Sequence, residues 1–240
     1  MSRELRFLLG VGVSALALMT GACNPDPGFS ENTPEYRSVD EEEPSSGERG
    51  NVLITEINFA GSVRDDGTYD PDDVFIELQN KHPRPINFTG WHLILEGDYV
   101  RTLRIPQTRL VEPNEFFVIA AKDNGAFADS ADLFMPEIRL GKQYVHIELR
   151  DADRRLIEGA GDEGKLVFAG GYDTVTVRSM ERAQIIFGNQ GGNQRNWHSY
   201  ADVAPVAGTV AEGWTKHTLV SPGFANSPDY SGSVAGGTFE

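Results

Sequence analysis

Between residues 52 and 180 apolar and polar positions alternate with a period of two: VLITEINF from Val52, VFIEL at 74–78, WHLIL at 91–95, FFVIA at 116–120, YVHIEL at 144–149 and VTVRSM at 175–180. That period places successive side chains on opposite faces of an extended chain, so each run predicts a half-buried β-strand. Turn-forming clusters separate the runs: RDDGTYDPDD, NKHPRP, EPNE and DADRR. No stretch sustains a helical stripe, although ADSADLFMPEI (128–138) has room for one helical turn. The pattern predicts an all-β chain, an antiparallel β-sandwich of two packed sheets forming one domain over residues 51–228.

Outside this region the pattern vanishes. Residues 24–49 hold four prolines, an acidic run Asp40–Glu43 and almost no aliphatic side chain. Such a segment buries too little apolar surface to offset the entropy of ordering, so it is expected to act as an extended tether. Residues 229–240, ending SGSVAGGTFE, are expected to be a loose tail.

The first 22 residues differ again. Arg3 and Arg6 precede an apolar run from Phe7 to Met19, followed by the small residues Gly21 and Ala22. This is the layout of a secretory signal, and the run is shorter than the roughly 20 residues of a membrane-spanning helix. TGAC (20–23) resembles the bacterial lipobox, departing from it at Thr20, where leucine is usual. The resemblance implies cleavage before Cys23 and lipidation of its thiol. The expected location is a bacterial cell envelope, at the outer membrane, with the membrane as one partner through the lipid anchor. Several buried acyl chains hold durably where one holds only marginally.

Charge and cysteine content narrow the chemistry. The net charge is −15, from 21 Lys+Arg against 36 Asp+Glu, which argues against nucleic acid as a partner because such binding releases counterions from phosphates through basic side chains. Cys23 is the only cysteine, so no intramolecular disulfide and no cysteine-rich zinc site can form. The histidines at 82, 92, 146, 198 and 217 show neither HxH nor HExxH spacing, and no GxSxG elbow follows Cys23.

The strand runs also carry a family resemblance. VLITEINFAG (52–61), DVFIELQN (73–80), INFTGWHLIL (86–95) and LVEPNEFFVIA (110–120) resemble the first half of the lamin-tail domain; YVHIELRDADRRLIEG (144–159), SMERA (179–183) and SPGFAN (221–226) are similar to its second half. The resemblance implies an immunoglobulin-like sandwich. The stretch from Gly159 to Val175 and the Gly/Asn/Gln-rich segment 188–196 depart from it.

Three groups of residues are candidates for function. Asp66, Asp70 and Asp72, in an acidic loop with Asp65 and Asp73, supply the hard oxygens Ca²⁺ accepts, and counting from Asp66 puts Glu77 at the twelfth position of an EF-hand-like loop, although Pro71 stands where glycine is needed. Glu56 and Glu77, each mid-strand, are a carboxylate pair of the type glycosidases use. Arg195, Trp197 and Tyr200, within NQGGNQRNWHSY, have the composition of a loop that stacks on sugars or captures a peptide. No cofactor is required, with Ca²⁺ the one candidate ion. The expected function is a non-catalytic binding, adhesion or scaffold module for an envelope protein or glycan; the alternative is a calcium-dependent hydrolase or carbohydrate-binding module.

Overall fold

The computed structural model describes residues 48–97, 100–183 and 190–229. Cys23, the signal segment, most of the tether and residues 230–240 lie outside the described residues, as does the first part of the 188–196 segment.

Among the described residues ten strands form two main sheets: β1 (Val52–Asn58), β2 (Phe75–Asn80), β3 (His92–Glu96), β4 (Arg101–Arg104), β5 (Phe116–Ala120), β6 (Leu133–Phe134), β7 (Tyr144–Arg150), β8 (Leu156–Leu166), β9 (Met180–Arg182) and β10 (Trp197–Ser199). One sheet runs β6-β5-β2-β1-β9-β10 and the other β8-β7-β3-β4. Every pair is antiparallel except β5 with β6. The architecture is all-β, as the alternation predicts. No α-helix occurs among the described residues: 128–138 holds turns and the two-residue β6 in place of a helical turn, and a single 3₁₀ turn forms at Gln194–Asn196. The run 175–180 divides into a short strand, Val177–Arg178, and the start of β9.

The main core lies between the sheets. Ile54 and Ile57 of β1 and Ile76 and Leu78 of β2 meet Leu93 and Leu95 of β3 and Ile147 and Leu149 of β7. Trp91 packs edge-on to Phe88, their ring centroids 5.1 Å apart, and Phe88 in turn to Phe117 at 5.3 Å. Offset edge contacts of this kind match the ring quadrupoles and add to the burial term.

The six-stranded sheet is not half-buried, as period two alone predicts. Its far face carries a second apolar cluster, in which Phe75, Val118 and Ala120 of the sheet meet Ala126, Phe127, Val210 and Val220. The loop after β5 and the chain beyond β10 cover that face, so β1, β2 and β5 are buried on both sides.

Candidate functional site

A row of carboxylates lies under this cover. The β1–β2 ladder shifts register between Ile54 and Glu56, a bulge at Thr55. Because one extra residue is inserted there, Ile54 and Ile57 both point into the core while Thr55 and Glu56 turn to the far face. Glu56 then sits directly opposite Glu77 on one side and Glu181 on the other. Glu181 is in turn opposite His198. All three glutamates are fully buried, at 0% exposure.

The covering segment supplies their donors. Ser221-Pro222-Gly223-Phe224 closes a turn in which the Phe224 amide donates to the Ser221 carbonyl at 3.0 Å and Gly223 has φ +84°. These are the residue choices of a type II turn, proline second and glycine third, where a side chain would be strained. The turn aims the Ser221 amide at Glu56 Oε1 (3.0 Å) and the Gly223 amide at Glu77 Oε2 (2.6 Å). Ser221 Oγ lies 3.2 Å from Glu56 Oε2 and 2.6 Å from Glu181 Oε1. Thr55 Oγ1 donates to Glu77 Oε1 at 2.6 Å, and Ser227 donates to Glu181 through its amide (3.1 Å) and its hydroxyl.

Burial, reinforced by the neighbouring Glu181, pushes the Glu56 carboxyl from its ordinary 4.5 to about 8. Burial, then the adjacent Glu56, also raises Glu77 well above the carboxylate range. Low dielectric and like charge disfavour ionisation in the same direction, outweighing the hydrogen bonds that favour it. The Glu56–Glu77 pair expected as a hydrolase dyad is therefore brought together, but under a roof that leaves it no exposed surface.

The three aspartates Asp66, Asp70 and Asp72 do not assemble a calcium loop. Asp66 Oδ1 accepts the Thr68 amide (2.9 Å), which holds its carboxyl below the ordinary value. Asp70 is paired with Lys122 Nζ at 2.6 Å, and Asp72 lies 3.9 Å from Arg139 Nε. Glu77, the supposed twelfth ligand, belongs to the buried row. Among the described residues no group of three or more His, Cys, Asp or Glu side chains is placed to hold a metal ion.

The loop triad is corrected in the same way. Arg195 is exposed, but Trp197 is 4% and Tyr200 2% exposed. Trp197 Nε1 donates to the Gly191 carbonyl at 2.7 Å, with the Arg182 guanidinium 5.2 Å from its ring centroid. Tyr200 donates to the Ala204 carbonyl at 2.7 Å, and burial followed by the nearby Asp202 pushes its phenol up to about 12. Both rings have their polar ends satisfied internally, so neither is offered to a sugar or peptide. Arg182 ion-pairs with Glu158 at 2.9 Å, with both side chains almost fully buried. The sequence separation of these partners hides the pair from any local pattern.

A protein-family model for the lamin tail domain matches residues 45–200. The chain belongs to the lamin tail domain family. Its fold is accordingly immunoglobulin-like. The match includes Glu56, Glu77 and Glu181, whereas the Ser221–Ser227 cover lies beyond it. No curated protein matches the chain.

Proposed function

We propose that this lamin tail domain is the non-catalytic binding or scaffold module of a lipid-anchored bacterial envelope protein, held off the membrane by its acidic tether. The observation that carries the module reading is the sealing of Glu56, Glu77 and Glu181 at 0% exposure. A general acid or base must come within about 3 Å of a substrate proton or reach it through one water, and a carboxylate roofed by the protein's own backbone does neither. The anchor reading rests on TGAC (20–23) and the lone Cys23. Its partner is an envelope protein or glycan rather than nucleic acid, given the charge of −15.

Cell fractionation tests the anchor. Cys23→Ser moves the protein from the membrane to the soluble fraction, and an unchanged distribution refutes lipid anchoring. Crosslinking in intact envelopes tests the module: a discrete adduct is expected from the wild type that is lost or weakened when Cys23→Ser removes the domain from its surface.

A further inference from the structure

We infer that the segment Thr218–Ser227 is a proton-dependent latch, closed over the glutamate row while the Glu56 carboxyl carries a proton and loosened when it ionises. The Ser221 contacts point to that proton, Ser179 being the other side-chain donor near Glu56. Ser221 Oγ is within hydrogen-bond distance of Glu56 Oε2 and Glu181 Oε1 together, but a hydroxyl has one hydrogen to donate. The second contact is a hydrogen bond only if one of the two carboxyls carries a proton and donates it back. With both ionised, one contact becomes two unbridged oxygens inside a dry site.

The surroundings offer little to neutralise a second charge. Facing the row are Glu77 from β2, His198 from β10, whose Nδ1 is 3.8 Å from Glu181 Oε2, and Tyr200. Beyond Tyr200, Arg178 donates to its backbone carbonyl, and Asp202 adds a further negative charge. The covering residues 218–227 contain no titratable side chain. Among the described residues no lysine or arginine forms an ion pair with any of the three glutamates. A buried charge without a counter-ion is relieved by admitting water, and the movable boundary is the roof, because the row itself is locked in the sheet ladder. Glu181 already accepts the Ser227 amide and hydroxyl; Glu56 is the group whose ionisation strains the contact.

Hydrogen exchange of the full chain, followed peptide by peptide at pH 5.5 and pH 8.5 and corrected for intrinsic rates, tests this. Protection of residues 218–229 is expected to fall at least tenfold at the higher pH while that of 144–150 in β7 is unchanged. Glu56→Gln, which supplies a permanent donor without a charge, is expected to keep 218–229 protected at both pH values. Equal protection of the wild-type segment at the two pH values overturns the latch. So does an equal loss in β7, which marks global unfolding, or a tenfold loss that persists in Glu56→Gln. Should Glu56→Gln fail to fold, Ser221→Ala is the second variant: removing the shared hydroxyl is expected to lower protection already at pH 5.5, and protection matching wild type there overturns the proposal.

Discussion

Replacing Arg182 with methionine removes the buried ion pair together with the other contacts of the guanidinium. The variant keeps an unbranched side chain against Trp197 but loses the 2.9 Å contact to Glu158, the 3.3 Å bond to the Ile54 carbonyl and the guanidinium 5.2 Å from the indole centroid. Glu158, only 8% exposed, is left without that cation. Removing one partner of a buried pair costs about 3–5 kcal/mol, a large share of the roughly 5–15 kcal/mol that holds a domain folded. With a urea slope of roughly 2 kcal/mol per molar, the midpoint falls by about 1.5–2.5 M.

The loss depends on pH in a calculable direction. Burial already holds the Glu158 carboxyl above 4.5, and Arg182 pulls it back down. Without Arg182, burial is opposed only by the Gly159 amide and the charge of Arg49, and the folded-state value rises further. A raised folded-state value gives stability that is fully present below the unfolded-state value and lost as pH rises through the folded one. The deficit of Arg182→Met is therefore smaller at pH 5 than at pH 7.5. Glu158→Gln in the same background recovers part of it, with a coupling of at least about 2 kcal/mol in the double-mutant cycle. A deficit under about 1 kcal/mol, no coupling, or an equal deficit at both pH values refutes the reasoning.

Other outcomes follow from the same geometry. Glu56→Gln flattens the wild-type decline in stability between pH 4.5 and about 8, a decline whose slope approaches 1.4 kcal/mol per pH unit for one proton; thermal melts should show the variant matching or exceeding wild type at pH 8.5. Gly191→Ala places a Cβ 1.8 Å from the Gly159 carbonyl oxygen and is expected to be severely destabilising, whereas at Gly192 the nearest atom is 3.5 Å away and alanine is expected to be neutral; urea midpoints separate the two. Millimolar Ca²⁺ should leave the melting temperature unchanged, since Asp70 is already paired with Lys122; a ligand at 100 times its dissociation constant would add ~2.7 kcal/mol.

Alternation of apolar and polar residues was enough to locate β1, β2, β3, β5 and β7, because a strand's two faces are written in its own residues. The motif SPGFAN (221–226) was legible too, as part of the family resemblance. Which face Glu56 occupies was not: strict alternation groups it with Ile54, and only the bulge at Thr55 moves it across. Nor could local pattern reveal that the far face is covered, since Ser221 and Ser227 come from a distant part of the chain. The same limit made Trp197 and Tyr200 look like exposed ligand-binding aromatics when their partners, the carbonyls of Gly191 and Ala204, hold them inside. Periodicity reports whether a strand has two unlike faces; whether the polar one meets water or another piece of the chain is decided by packing between remote segments, where burial and like charge hold the Glu56 and Glu77 carboxyls above their ordinary value.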